Sequence, residues 1–125
     1  MEVFAVFVIA EVDGGGFAAT SRAEDRKAAD EGISFGFPGG KVDEGESLVQ
    51  AAIRESQEEG WDVSIDSPVP CSVQIVQGKK VAWLKASNAV KRDSFKEQGR
   101  IVPVVVGKNS LVGFGNEKAL AEAGY

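Results

Sequence analysis

The sequence contains no histidine, and Cys71 is the only cysteine among its 125 residues. The absence of histidine excludes Ser-His-Asp triads, Cys-His nucleophiles and histidine-ligated zinc. A single cysteine cannot form an internal disulfide or a CxxC site, which is typical of proteins in a reducing compartment. Any catalysis by this chain must therefore use carboxylates, metal ions, lysine, arginine or hydroxyl groups.

The sequence also lacks a long apolar run, a basic N-terminal region and an excess of basic residues. No apolar segment approaches the roughly 18 residues of a membrane-spanning helix, and the first residues have no signal-peptide pattern. Nineteen acidic and fourteen basic residues give a net charge of −5, which disfavours binding to nucleic acids and anionic membranes. We therefore expect a cytoplasmic protein, and the length predicts a single domain over residues 1–125.

Apolar runs and turn signals predict an α/β domain with a mixed sheet and helices on its faces. Strands are predicted at residues 3–10, 17–22, 69–77, 80–87 and 101–106. The first run is continuously apolar, as in a strand buried on both faces, and Pro103 places the last one at an edge or a bulge. A further apolar segment, residues 33–37, ends at Pro38. The polar residues 23–32 are predicted to form a solvent loop, and residues 88–100 a loop or a short helix.

The clearest helix follows Ser47. Ser47 at the N-cap and Gln50 at the third helical position form a capping box, and residues 48–59 contain no glycine or proline. Gly60 stands where a left-handed C-cap is expected. Residues 116–123 predict a second, shorter helix.

Three carboxylates lie on one side of the first helix. At 3.6 residues per turn, Glu55, Glu58 and Glu59 fall within about 100° of one another. The other residues on this side are mostly small and are expected to leave room above the carboxylates (Leu48, Ala51 and Ala52). A neighbouring stripe of the helix is expected to pack on the sheet (Val49, Ile53 and Ser56). Arg54 precedes Glu58 by four residues, a spacing that allows a bidentate ion pair.

These carboxylates repel one another at the end of the helix where the helix dipole already disfavours negative charge. Residues 41–62 carry a net charge of −5, equal to that of the whole chain. A divalent cation such as Mg²⁺ or Mn²⁺, which prefers oxygen ligands, would relieve the repulsion. The alternative is a solvated acidic face screened by water and salt.

The segment from Phe37 to Val63 resembles the Nudix hydrolase signature, G-x5-E-x7-R-E-U-x-E-E-x-G-U, where U is a bulky apolar residue. Gly40 supplies the first glycine, and every charged position of the pattern is filled at the correct spacing, with these residues: Glu46, Arg54, Glu55, Glu58 and Glu59. Three positions depart from it. Ser56 and Asp62 replace apolar residues, and Trp61 occupies the glycine position because Gly60 comes one residue early.

The resemblance implies an α/β/α sandwich and the hydrolysis of a nucleoside diphosphate linked to another group, with Mg²⁺ or Mn²⁺ as cofactor. By resemblance, Glu55, Glu58 and Glu59 are metal ligands, one of them can accept the proton of the attacking water, and Arg54 orients them. Glu46 supports the junction of loop and helix, with an outer metal contact as a further option.

The same resemblance gives the glycine loop a role in substrate binding. Gly39 and Gly40 let the backbone approach phosphate, and Lys41 can offset phosphate charge. Glu97 is a candidate for a distal acidic metal ligand, with Asp93 as the alternative and a plain surface role open for both. The basic residues around them form either a lid over phosphate or a solvated loop (Lys91, Arg92, Lys96 and Arg100).

An aromatic side chain is the usual platform for a nucleobase. The candidates, each of which has a core role as its alternative, are Phe35, Phe37, Trp83, Phe95 and Phe114. Cys71 lies in a β-rich run and is expected to be a packing residue, not a nucleophile.

The favoured function is that of a MutT-like nucleotide pyrophosphohydrolase, which converts a nucleoside triphosphate or deoxynucleoside triphosphate to the monophosphate and pyrophosphate. The alternative substrate is ADP-ribose or another nucleoside diphosphate derivative. A non-catalytic module that binds a nucleotide or a protein is disfavoured, because such modules generally lose the glutamates that are present here. The expected partner is a small nucleotide, with no stable nucleic-acid binding, and the expected state is a monomer or a homodimer.

Overall fold

A computed structural model describes residues 2–22 and 35–125. The predicted loop at residues 23–32 and the start of the apolar segment at residues 33–37 lie outside the described residues. The described elements, in chain order, are β1 (Ala5–Val12), β2 (Gly16–Arg22), β3 (Phe35–Gly36), β4 (Gly39–Lys41), α1 (Leu48–Glu58), β5 (Trp61–Ile65), β6 (Ser72–Val76), β7 (Lys79–Lys91), β8 (Ile101–Val106), a 3₁₀ turn (Lys108–Ser110) and α2 (Asn116–Glu122).

The described strands form one mixed sheet, as predicted. Strand β1 runs parallel to β7, with a register from Ala5 opposite Val81 to Ala10 opposite Ala86. The other pairings are antiparallel: β2 and β4 pair with β1, β5 and β6 pair with β7, and β3 and β8 pair with β2. Among the described strands β8 pairs with β2 alone, so Pro103 lies in an edge strand, where its missing N–H costs little.

Each face of β1 is covered by a different helix. Val6 and Val8 point to one face and pack in a cluster with Ala51 of α1. Ile9 points to the other face and packs in a cluster with Leu120 of α2. The alternation explains the continuous apolar run, because both faces of the strand are buried. The architecture is an α/β/α sandwich, and within the described ranges no helix has the length and apolarity that crossing a bilayer requires.

Helix α1 has the predicted ends but a different buried face. Ser47 and Gln50 form the capping box, and Gly60 has a left-handed φ of +98° just after the helix. The expectation that Ala51 and Ala52 leave room above the carboxylates was wrong, because both are fully buried against the sheet. Their small side chains let the helix lie close to the sheet. The neighbouring stripe is less buried than expected, except for Ser56, whose buried Oγ has no hydrogen-bond partner in the described structure.

Besides the short strand β4 at the glycine loop, two stretches between the predicted elements are strands that the sequence did not predict. Trp61–Ile65 forms β5, and β7 continues to Lys91, so residues 88–91 are a strand and not part of a loop. The two stretches pair with each other, and this pairing supports the polar end of β7. Trp61, the departure from the glycine position of the signature, is a core residue whose indole Nε1 donates to the Ala19 carbonyl at 2.9 Å.

Candidate active site

The glycine loop forms a short strand that touches helix α1. Gly39 pairs with Phe7 of β1 and has a left-handed φ of +153°, a conformation that favours glycine. A side-chain carbon at Gly40 would lie 2.6 Å from the carboxyl carbon of Glu55. The two glycines therefore allow the backbone of β4 to pass directly against the acidic face of the helix.

Arg54 joins this loop to the helix. Its Nε and Nη2 donate to Oε2 and Oε1 of Glu46 at 2.7 and 2.9 Å, a bidentate pair, and Nη2 also donates to the Lys41 carbonyl at 3.0 Å. The predicted bidentate pair with Glu58 was wrong, because Glu58 receives one longer bond of 3.4 Å, while Glu55 Oε1 accepts from Nη1 at 3.0 Å. The fork of the guanidinium faces the loop because Glu46 can approach it head-on, whereas Glu58 lies alongside on the same helix.

The hydrogen bonds of Arg54 stabilise the charged form of Glu46. They lower the pKa of that carboxyl to about 2, with burial opposing the shift and the Asp43 amide adding to it. The same pairing raises the pKa of Arg54. Glu46 is thus an anchor for the loop that remains ionised at neutral pH.

Glu55 and Glu59 lie in a very different environment. Burial raises the pKa of Glu59 to about 7, although the Gly39 N–H donates to its Oε1 at 2.9 Å and lowers the pKa, while the neighbouring Glu55 raises it further. Burial also raises the pKa of Glu55, against the opposing effect of its bond to Arg54. Both carboxylates are therefore costly to ionise in the metal-free protein, as expected of groups that receive a cation.

A cleft of about 490 Å³ opens beside these two carboxylates. Its described lining residues are Arg22, Gly39, Gly40, Glu55, Glu59, Glu97, Arg100 and Ile101. The structure thus brings together the predicted glycines, two of the three helix glutamates and the predicted distal acid Glu97. Asp93, the alternative distal acid, is exposed and is not one of the lining residues.

Two predicted site residues lie elsewhere. Glu58 is not in the lining of the cleft, and its carboxylate contacts Arg54 at 3.4 Å and Lys96 at 3.5 Å. Lys41 lies along a separate groove, with its Nζ 5.8 Å from the centre of the Phe4 ring. Successive residues of β4 point to opposite faces, so Lys41 faces away from the side on which Gly40 meets Glu55, and its role in offsetting phosphate charge stays a prediction.

Among the described residues that line the cleft, the cationic ones are Arg22 and Arg100. Arg22 was missed because it is distant from the signature in the sequence, and strand pairing brings it in by placing it opposite Ile101 of β8. Arg100 belongs to the basic segment that was considered as a lid, and its Nη1 donates to Glu97 Oε2 at 3.2 Å. Two other basic residues of that segment pair outside the cleft, Arg92 with Asp62 at 2.7 Å and Lys96 with Glu58.

The aromatic candidates divide between core and surface. Phe37 and Trp83 are buried, while Phe35 and Phe95 are half-buried. Phe114 is 42% exposed and packs edge-on against Phe7, with the ring centres 5.4 Å apart. Because Phe7 is the register partner of Gly39, this aromatic surface begins next to the glycine loop.

Cys71 is a packing residue, as predicted. It is half-buried, and its thiol donates to the Trp83 carbonyl at 3.3 Å. Burial raises the pKa of the thiol, which disfavours the reactive thiolate.

Comparison with known proteins identifies the family of this site. The family model of the NUDIX domain matches residues 1–102, which include every described residue that lines the cleft. The chain belongs to the Nudix family. It is a Nudix hydrolase, an enzyme class that acts on small nucleotide substrates and generally uses a divalent metal. No curated protein sequence matches the chain.

Solved Nudix structures have the same fold at low sequence identity. A structure described as an ADP compounds hydrolase is 19% identical with a TM-score of 0.68, covering 95% of this chain and 69% of its own. A NUDIX hydrolase from Nitrosomonas europaea is 16% identical with a TM-score of 0.68, over 98% of this chain and 89% of its own. A MutT NUDIX hydrolase from Burkholderia pseudomallei is 19% identical with a TM-score of 0.65, over 98% of both chains.

The donor set of this Nudix site suits a hard divalent cation. Among the described residues, no three acidic or cysteine side chains are grouped as a complete ligand set. Mg²⁺ commonly binds through one or two carboxylates and completes its coordination with water and substrate phosphate. Glu55 and Glu59 supply that number of carboxylates, and their raised pKa values, caused mainly by burial and to a smaller extent by neighbouring glutamates, show an ionisation cost that a bound cation would offset.

Proposed function

We propose that this Nudix hydrolase is a Mg²⁺-dependent, MutT-like nucleotide pyrophosphohydrolase that converts a nucleoside triphosphate to the monophosphate and pyrophosphate. The observation that carries this function is the cleft in which Glu55 and Glu59 face Arg22 and Arg100. Acidic groups for a cation and guanidinium groups for phosphate lie in one open volume, and both are required by a metal-assisted attack on a polyphosphate. A single domain over residues 1–125 is part of this proposal, and it is supported by α2, which lies beyond the family match and contributes Leu120 to the core.

The carboxylates hold the metal ion and take up a proton. Glu55 and Glu59 are the ligands in the cleft and Glu97 is the further acidic ligand there, whereas Glu58 lies outside the lining and contacts Arg54 and Lys96. When bound, Mg²⁺ neutralises the diphosphate and positions the attacking water. One of the glutamates accepts the proton of that water. The Gly39 amide holds Oε1 of Glu59 and so fixes the direction of its carboxylate.

The remaining lining residues bind and orient the substrate. Arg22 and Arg100 offer guanidinium donors to phosphate oxygens, and Gly40 lets the substrate approach the backbone beside Glu55.

A nucleotide panel with products identified by mass spectrometry tests this function. The panel contains the common nucleoside and deoxynucleoside triphosphates, oxidised deoxynucleotides and ADP-ribose, each with Mg²⁺ in water labelled with heavy oxygen. Release of monophosphate and pyrophosphate from a triphosphate, with one labelled oxygen, supports the proposed reaction. Turnover of ADP-ribose alone would contradict the substrate class and favour the alternative, to which the fold likeness with the ADP compounds hydrolase also points. No turnover of any member would contradict the reaction itself.

A further inference from the structure

The segment that carries Glu97 and Arg100 is bound to the end of helix α1. We call residues 92–100, which connect β7 to β8, the docking loop. Its backbone donates two hydrogen bonds to the end of the helix: the Glu97 N–H to the Glu58 carbonyl and the Arg92 N–H to the Gly60 carbonyl, both 2.9 Å. The last carbonyls of a helix have no partner within the helix, so the Glu97 amide satisfies a Glu58 carbonyl that would otherwise need water, while the Arg92 bond goes to Gly60, which follows the helix.

A single aromatic ring fills the space between the docking loop and the helix end. Gly60 has no side chain, and a carbon added there would lie 3.1 Å and 3.2 Å from two ring carbons of Phe95 and 2.9 Å from Pro103. The Phe95 ring and Pro103 of β8 therefore cover Gly60 directly. Phe95 is half-buried, although it belongs to an otherwise polar segment.

The groups on either side of this ring belong to the two halves of the cleft. Helix α1 presents Glu55 and Glu59, while the docking loop presents Glu97 and Arg100. Only Lys96 lies between Phe95 and Glu97 in the sequence, and the Glu97 carbonyl accepts from the amides of Arg100 and Ile101 at 3.0 and 2.9 Å. Glu97 and Arg100 are thus part of one tight turn.

We propose that Phe95 is a positioning residue: its ring, seated on Gly60, holds the docking loop against the end of α1 so that Glu97 and Arg100 face the helix glutamates across the cleft. Phe95 itself does not line the cleft. Because Glu97 and Arg100 affect catalysis only if the cleft is the hydrolytic site, the catalytic part of this role rests on the function proposed above.

Amide hydrogen exchange tests the docking without any substrate. In Phe95→Ala, exchange at the Glu97 and Arg92 amides should accelerate about tenfold or more, while the buried turns of α1 around Ala51 keep their protection. Phe95→Leu, which retains an apolar side chain over Gly60, should restore most of the protection and keeps the test available if the alanine variant does not fold. Phe4→Ala is the matched control, because Phe4 is also a partly exposed aromatic residue but contacts Lys79 at a distance from the loop. Unchanged exchange at Glu97 in Phe95→Ala would overturn the docking role.

A double-mutant cycle tests the catalytic part. Phe95→Ala should lower kcat/KM about 10- to 100-fold, because misplacing a cleft residue by an ångström costs that much. If Phe95 acts through Glu97, adding Phe95→Ala to Glu97→Gln should cause a clearly smaller loss than it causes in the wild type. If the loss of kcat/KM in the double variant equals the product of the losses in the two single variants, coupling of Phe95 through Glu97 is overturned. An inactive wild type would instead contradict the proposed function, and the exchange result would still decide the docking.

Discussion

Arg54 and Glu46 form a two-point ion pair, with Nε to Oε2 at 2.7 Å and Nη2 to Oε1 at 2.9 Å. Glu46 Oε1 also accepts a hydrogen bond from the Asp43 N–H at 3.1 Å. The same carboxylate therefore stabilises the turn of its own loop and binds Arg54 on the helix. Arg54 extends in the other direction to Glu55 at 3.0 Å. One guanidinium therefore fixes the glycine loop and a cleft carboxylate relative to each other.

Replacement of Arg54 by lysine should disrupt this geometry while leaving the charge unchanged. Lysine keeps the positive charge but cannot donate a planar pair of hydrogen bonds. We expect Arg54→Lys to lower kcat/KM by about 10- to 100-fold and the free energy of unfolding by about 1–2 kcal/mol. Steady-state kinetics and urea unfolding check both values. Arg92→Lys, at the exposed pair with Asp62, is the control and should stay near the wild type. Equal losses of kcat/KM and of unfolding free energy in the two variants would contradict the role of Arg54 in fixing the glycine loop relative to Glu55.

The stability of the metal-free protein should fall as the pH rises from about 4.5 to 7. Burial raises the pKa of Glu59 to about 7 from an ordinary value of 4.5, so the folded state binds more protons than the unfolded state in that interval. The free energy of unfolding therefore decreases with pH there. In Glu59→Gln most of this slope should vanish, leaving the variant more stable at pH 8 by on the order of 3 kcal/mol.

Urea unfolding in the presence of a chelator, repeated between pH 4.5 and pH 8, measures this effect. Glu55 also has a raised pKa, so a smaller slope of the same sign should remain in Glu59→Gln. Glu11→Gln, which removes an exposed carboxylate of β1, should reproduce the wild-type slope. If Glu59→Gln kept the full wild-type dependence of the unfolding free energy on pH, Glu59 would not be the carboxylate with the raised pKa that causes it.

Addition of Mg²⁺ should raise the melting temperature of the wild type. The ion binds the folded cleft and not the unfolded chain, so a concentration 100 times the Kd adds about 2.7 kcal/mol of stability, or a shift of several degrees. The shift should be larger at pH 8 than at pH 5, because Glu55 and Glu59 must be ionised to bind the metal. Differential scanning fluorimetry with and without nucleotide measures it. No shift at millimolar Mg²⁺ under either condition would favour a solvated acidic face.

Gly40 should not tolerate even a methyl group. The added carbon would lie 2.6 Å from the carboxyl carbon and from one oxygen of Glu55, which must then move away from the cleft. We expect Gly40→Ala to fold but to lose kcat by about 10²-fold. Gly107→Ala is the matched control, since a carbon there meets nothing within 4 Å and the backbone is not left-handed. Circular dichroism and turnover numbers separate the two effects, and an active Gly40→Ala variant would contradict the close packing of β4 on Glu55.

Local patterns were sufficient to predict the helix and the two carboxylates that it brings to the cleft. Capping by Ser47 and the left-handed Gly60 depend only on neighbouring residues, so the helix ends could be read from the sequence. The helical period also placed Glu55 and Glu59 on a common side. It did not show that Ala51 faces the sheet, because periodicity gives angles around the helix axis but not the direction of the core.

The missing parts depend on pairing between distant segments. Arg22 enters the cleft because β2 pairs with β8, and nothing in the spacing of the signature predicts that pairing. The choice of Glu46 over Glu58 as the bidentate partner of Arg54 depends on how the loop folds back over eight residues. Strand β5 was missed because it is short and begins immediately after Gly60, in a stretch for which no element was predicted.

The most direct test of the account is the turnover number of Glu59→Gln with Mg²⁺ and the best triphosphate of the panel. Glutamine keeps the size of the side chain and the bond from Gly39, but it removes the negative charge that binds the ion. With a folded variant and Glu11→Gln as control, kcat should fall by about 10²- to 10³-fold while the control remains active. Turnover of Glu59→Gln near that of the wild type would contradict the assignment of this cleft as the metal-dependent hydrolytic site.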